Sequence, residues 1–135
     1  MTAREGKIRE ESKLASADYF KKATDNYDQV LIAFHALNWN AAATLAVQCA
    51  ISAADAICVY ERGIRSISQD HLDVCDLVAN LPIAGADEKS KQLRKVIMRK
   101  NMVQYESRSV RKSDADEMVK ITTRVYQWVN EKMGK

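Results

Sequence analysis

The stretch that decides the fold is N40-AAATLAVQCAISAADAICVYER-G63, which runs from Asn40 to Gly63. Small side chains recur along it, and they allow the backbones of neighbouring helices to approach closely. Asn40 is a favourable residue before the first turn of a helix, and Gly63 is a typical residue just after the last turn. The stretch therefore predicts a central packing helix that ends at Arg62.

Apolar residues on both sides of this helix recur at intervals of three and four, the spacing of amphipathic helices. The pattern predicts four further helices: one from about Ser12 to Leu37, one opened by Asp70-His71 and ended by Pro82, one from Asp87 to about Tyr105, and one capped by Ser113 with Asp116. No alternating strand pattern longer than Gly63 to Ser68 is present. We therefore predict an all-α, up-and-down bundle of about five helices with a long N-terminal hairpin.

The composition fits one ordinary globular domain. The chain has 135 residues, of which 47% are hydrophobic and 29% charged, so a single domain over 1–135 can bury a full core. Residues 1–11 are polar, and we expect a flexible or frayed N-terminus rather than a signal peptide. The three cysteines lack a paired spacing and fit free thiols. We expect a cytoplasmic protein with no membrane contact.

Positive charge is concentrated in one segment. The formal net charge is only +3, yet residues 89–112 contain nine basic side chains and one acidic side chain, Glu106. Such a segment can hold phosphates or an acidic partner. The alternative is a solvated helix face whose charge serves solubility.

Common catalytic signatures are absent from the sequence. It contains no Gly-rich phosphate loop, no Gly-x-Ser-x-Gly elbow, no His-Glu-x-x-His and no Cys-x-x-Cys. The two histidines, His35 and His71, fall in separate predicted helices without a metal-ligand spacing around them. We therefore expect neither a metal nor a cofactor.

The predicted fourth helix carries an unusual polar group at its C-terminal end. At about 100° per residue, Lys100, Asn101 and Gln104 fall on the same side as the apolar stripe that begins at Leu93. A buried lysine without a partner is costly, so this side is expected to face a cleft or a second subunit. The alternative is that the helix bends or ends by Asn101.

At these residues the sequence resembles the HEPN family of small prokaryotic α-helical domains. The resemblance is carried by the long hairpin, by Ser52-Ala53-Ala54-Asp55-Ala56, by Gly63, by His71 and by the polar motif at the end of helix four. The family's ribonuclease motif is Arg, often followed by a polar residue, and then a His four to six residues later. Here the motif is degenerate: Lys100, Asn101 and Tyr105 take its places, or in a second register Arg99 pairs with Gln104.

The resemblance implies an RNA-, nucleotide- or partner-binding module of a defence or toxin–antitoxin type system, with a homodimer and a nucleotidyltransferase-like, toxin or antitoxin partner. Tyrosine titrates near pH 10 and is a poor base, which favours a non-catalytic or weakly catalytic protein. The candidate phosphate-binding residues are Lys100, Arg108, Arg111 and Lys112. Two alternatives stay open: an active metal-independent endoribonuclease in which Tyr105, Gln104 or His71 replaces the missing histidine, and a purely structural interaction bundle.

Overall fold

A computed structural model describes residues 7–134 of the chain. Its elements are β1 (Ile8–Glu10), α1 (Ser16–His35), α2 (Trp39–Arg62), β2 (Ile64–Ser66), α3 (Asp73–Ala79), α4 (Ala86–Met98), α5 (Lys100–Tyr105) and α6 (Lys112–Lys132), with a short 3₁₀ turn at Lys13–Ala15 before α1. The predicted all-α class is confirmed, because helices dominate and the two strands form only a small sheet.

Helix α2 is the centre of the bundle, as its small residues predicted. It packs against α1, α3, α4 and α6, and most of its residues from Ala42 to Val59 are buried. Its C-terminal stop is Gly63, whose φ of 63° lies in the left-handed region. Its N-terminal cap, however, is Asn38, whose side chain accepts a hydrogen bond from the Ala41 N–H. The prediction that Asn40 is the cap is therefore wrong.

The length and composition of α2 would also suit a membrane-spanning helix. The same property is common in core helices of globular proteins, and 72% of the apolar window of α2 is buried inside the bundle. Helix α2 is therefore the core helix of the bundle, which the other helices cover.

The N-terminal residues that the structure describes are ordered by a two-stranded antiparallel sheet. Strand β1 pairs with β2 in the register Ile8 with Ser66 and Glu10 with Ile64. The expected frayed terminus is thus wrong for residues 7–11, and the rest of that prediction, residues 1–6, lies outside the described residues. Local sequence could not reveal this strand because its hydrogen-bond partner lies more than 50 residues away.

The predicted fourth helix is broken at Arg99. Helix α4 ends at Met98 and α5 begins at Lys100, which changes the direction in which the following side chains point. Met102 is consequently the buried residue of α5, while Asn101 and Gln104 are exposed. The expected single side shared by Lys100, Asn101 and Gln104 is therefore wrong, because the helix bends before Asn101. Lys100 and Asn101 nevertheless line a cleft, as expected, whereas Gln104 does not.

One carboxylate on α6 fixes the segment that follows the break. Asp114 accepts hydrogen bonds from the Arg111 N–H at 3.1 Å, from Arg99 at 3.0 Å and from Arg108 at 3.4 Å. The side chain of Asp114, the third residue of α6, thus caps the helix by accepting a hydrogen bond from the backbone N–H of Arg111. This contact is one half of a capping box. The predicted pair of Ser113 and Asp116 does not form this cap.

Candidate functional site

His71, Lys100 and Asn101 line one concavity between the start of α3 and the α4–α5 break. We call it the His71–Lys100 pocket; it has a volume of about 330 Å³, and the other residues in its wall are Gln69, Asp70, Leu72, Ile97 and Met98. Lys100 and Asn101, two residues of the degenerate motif, therefore share a pocket with a histidine that lies about 30 positions earlier in the chain.

The loop before α3 positions His71. The Asp70 side chain accepts a hydrogen bond from the Leu72 N–H at 3.0 Å, which forms a turn around His71. Burial lowers the pKa of His71, and the positive charge of Lys100 lowers it further, while Asp70 acts in the opposite direction. The imidazole is consequently neutral at pH 7, so it can both donate and accept a hydrogen bond.

Lys100 is the cation that this pocket offers to a ligand. It is half-buried, and its ammonium forms no ion pair among residues 7–134. Arg99, the basic residue of the second register, is instead paired with Asp114 and Glu117 on α6. Lys100 therefore keeps the charge available for an anion, whereas the charge of Arg99 is used within the fold.

Tyr105 and Gln104 do not join this pocket. The Tyr105 side chain is 73% exposed at the end of α5, and Gln104 is also exposed. Neither residue is in the wall that Lys100 and Asn101 share with His71. The structure thus brings together two members of the degenerate motif and leaves the residue in the histidine place outside.

The basic loop between α5 and α6 is a separate group of cations. Arg108 is held by Glu106 and Asp114, while Lys112 lies with its ammonium 5.9 Å from the centroid of the Trp39 ring. Arg111 is exposed and has no ion pair within the described part of the chain. None of these three side chains lines the His71–Lys100 pocket, so the predicted phosphate-binding set is divided between two surfaces.

The α6 carboxylate that binds this loop, Asp114, remains ionised. Burial acts to raise the pKa of Asp114, but the hydrogen bonds from the Arg111 backbone and from Arg108 and Arg99 outweigh it, and the pKa is lowered. Asp114 therefore offsets part of the positive charge that the sequence concentrates in residues 89–112.

A second concavity adjoins the first and was missed by sequence reasoning. The Asp55 pocket, as we name it, has a volume of about 420 Å³ and is lined by Tyr19, Lys22, Asp25, Asn26, Gln48, Ile51, Ser52, Asp55, Arg65 and His71. His71 belongs to the walls of both pockets. The only signal in the sequence was an aspartate within the alanine-rich helix.

Asp55 is a buried carboxylate, only 6% exposed. Its Oδ2 lies 3.4 Å from Nε of Arg65 on β2, and the Arg65 guanidinium lies 5.1 Å from the centroid of the Tyr19 ring. Burial raises the pKa of Asp55 to about 6, although Arg65 opposes the shift. The pair presents an acceptor and a donor side by side at the wall of the pocket.

Neither the carboxylates nor the cysteines of the described residues form a metal site. Across residues 7–134, no group of three His, Cys, Asp or Glu side chains is arranged to hold a metal ion. The three cysteines are free and buried, and burial raises the pKa of the Cys75 thiol to about 11.

Comparison with known proteins gives a family match over most of the chain. The model of the HEPN domain family matches residues 16–132, which is most of the chain and includes all six α-helices. No curated protein and no solved structure matches the chain.

Proposed function

Because the chain belongs to the HEPN domain family, we propose that it binds single-stranded RNA through phosphates held in the His71–Lys100 pocket, with little or no cleavage of its own. HEPN domains generally have nucleotide- or RNA-related functions and often occur in toxin–antitoxin or defence systems. The observation that supports the proposal is the convergence of Lys100, Asn101 and His71 on one concavity.

These three side chains supply the donors that a phosphate needs. An ammonium holds a phosphate as a point charge, and the amide of Asn101 and the neutral imidazole of His71 each add an N–H donor. Since Lys100 has no ion pair among the described residues, binding a phosphate does not require an existing salt bridge to break. RNA binding of this kind weakens as salt rises, because counterions are released from the phosphates.

The position of Tyr105 supports binding without efficient cleavage. Attack by a ribose 2′-hydroxyl needs a group that exchanges a proton near neutral pH, and a phenol does so poorly. Tyr105 is also largely exposed and lies outside the pocket that contains Lys100. The residue in the histidine place is thus unsuited to the role by both its chemistry and its location.

The test is the binding of a labelled, mixed-sequence single-stranded RNA, followed by fluorescence anisotropy at several salt concentrations. Lys100→Ala should weaken binding and reduce the slope of log K against log salt by about 0.7, the loss of one phosphate contact on a single strand. Lys120→Ala, which removes an exposed charge from α6, is the matched control and should change neither quantity as much. An unchanged affinity and slope in Lys100→Ala would contradict the proposal.

A second candidate function is favoured by His71 itself. A neutral imidazole beside a phosphate-binding lysine is a suitable proton acceptor, so the same pocket would support metal-independent RNA cleavage. Cleavage that survives a chelator and is lost in His71→Gln would establish this activity. Intact RNA after prolonged incubation with the wild-type protein would exclude it in favour of binding alone.

A further inference from the structure

We propose that the Asp55 pocket takes the base of a guanine nucleotide whose phosphate lies in the His71–Lys100 pocket. This inference rests on the proposed function, because it assigns a base preference to the same bound nucleotide. Asp55 and Arg65 form the recognition pair, and His71 stands between base and phosphate.

The placement of the two pockets suits a single nucleotide. His71 contributes to the wall of each pocket, so a ligand that occupies both passes this side chain. A nucleotide has the corresponding shape, since a ribose separates its base from its phosphate. The volume of about 420 Å³ in the Asp55 pocket also lies within the range of about 300–1,000 Å³ that small-molecule sites occupy.

The chemistry of the Asp55–Arg65 pair selects guanine among the four bases. Guanine presents N1–H and the N2 amino group as adjacent donors beside the O6 acceptor. The Asp55 carboxylate accepts from the two donors, and the Arg65 guanidinium donates to O6, which is a common partner of arginine. Adenine offers one amino donor next to an acceptor, and uracil offers one N–H between two acceptors, so each would leave this pair incompletely matched.

Burial and the neighbouring side chains strengthen this selection. With Asp55 only 6% exposed, hydrogen bonds to its carboxylate form in a region of low dielectric constant, where they are stronger than in water. Ile51 supplies apolar surface for a face of the base, and Gln48 and Ser52 supply polar groups at the wall. The Tyr19 ring lies beneath the Arg65 guanidinium and supports it. A base that leaves the buried pair unmatched loses more affinity than it would at an exposed site.

The experiment measures the affinity of the full chain for the 5′-monophosphates of guanosine, inosine, adenosine and uridine by titration calorimetry. We expect guanosine monophosphate to bind on the order of tenfold more tightly than the adenosine and uridine compounds. The inosine compound, which lacks the N2 amino group, should bind with an intermediate affinity. Asp55→Asn should remove the preference, because an amide presents a donor to one of the guanine donors.

Two variants serve as controls. Asp28→Asn removes an exposed carboxylate from α1 that does not line the Asp55 pocket, and it should keep the guanine preference. Lys100→Ala should weaken all four monophosphates by a similar factor, because they share the phosphate. The comparison of guanosine with inosine needs no variant, so it tests the proposal even if Asp55→Asn fails to fold.

The outcomes separate the two proposals. Equal affinities for the four monophosphates, or an undiminished guanine preference in a folded Asp55→Asn protein, would overturn the guanine site. If the guanine preference is present but Lys100→Ala binds every monophosphate as the wild type does, the base site stands and the phosphate assignment fails.

Discussion

Asp55 places a carboxylate in the middle of the most buried helix of the protein. Burial raises the pKa of this group to about 6, and Arg65 on β2 limits the shift. Although the sequence shows an aspartate among alanines, it does not show the partner. Arg65 comes close to Asp55 because β2 turns back immediately after Gly63, and its strand pairs with residues from the N-terminus.

The raised pKa of Asp55 predicts a pH-dependent stability difference. Because the folded protein binds this proton more tightly than the unfolded chain, the stability contributed by the group is greatest below pH 4 and is lost as the pH rises towards 6. Relative to Asp55→Asn, the wild type should therefore lose about 2 kcal/mol of unfolding free energy between pH 4 and pH 7. Urea unfolding of both proteins at the two pH values measures this. A difference that does not change with pH would contradict the assignment.

The break between α4 and α5 shows why the end of the predicted fourth helix was misjudged. The apolar spacing of Leu93, Val96 and Ile97 correctly predicted the buried face of α4. A continuous helix would have kept the same phase beyond Met98, but Arg99 is held by carboxylates on α6. The pairing of Arg99 with residues 15 and 18 positions later is a tertiary contact, and helical periodicity contains no information about it.

The cap of α6 predicts a contrast between two neighbouring aspartates. Asp114→Ala should lower the unfolding free energy by about 1 kcal/mol, because it removes the acceptor for the Arg111 N–H, the α6 carboxylate that binds Arg108 and one of the two α6 carboxylates that bind Arg99. Asp116→Ala, the residue that sequence spacing selected for the cap, should change the unfolding free energy by less than about 0.5 kcal/mol. Urea midpoints measure both values. Equal losses, or a larger loss at Asp116, would contradict the observed cap.

At the scale of the whole molecule, local sequence patterns predicted the helices but not the contacts between segments that are distant in the chain. The hairpin of α1 and α2 and the central role of α2 follow from the spacing of apolar and small residues, which each helix carries in its own sequence. The sheet of β1 and β2 and the pocket that joins His71 to Lys100 depend on contacts between distant segments. Lys100 and Asn101 are recognisable from the sequence because they are polar residues that interrupt the apolar side of one predicted helix. The Asp55–Arg65 pair is not recognisable, because its two residues lie on different elements.

The homodimer stays a prediction, and exposed apolar side chains support it in place of the polar residues of the motif. Asn101 and Gln104 are exposed, so they do not require a second subunit to cover them. Met98 and Tyr105, however, are large apolar side chains that are 64% and 73% exposed beside the motif, and we expect a second subunit to cover them. We expect light scattering to give twice the chain mass of 15.2 kDa, and Met98→Glu with Tyr105→Glu to give a monomer. Leu14→Glu, at an exposed apolar residue outside the pocket, should stay dimeric; a wild-type monomer at tens of micromolar would contradict the prediction.

The most direct test of the central claim is the response of the two histidine rings to RNA. The chain contains only His35 and His71, so His35→Gln assigns both ring signals in a proton NMR spectrum. His35 is exposed at the end of α1, while His71 lies in the pocket with Lys100. When a single-stranded RNA is added, we expect the His71 ring signal to shift and the His35 signal to stay in place. RNA that binds while leaving the His71 signal unchanged would contradict the assignment of this pocket.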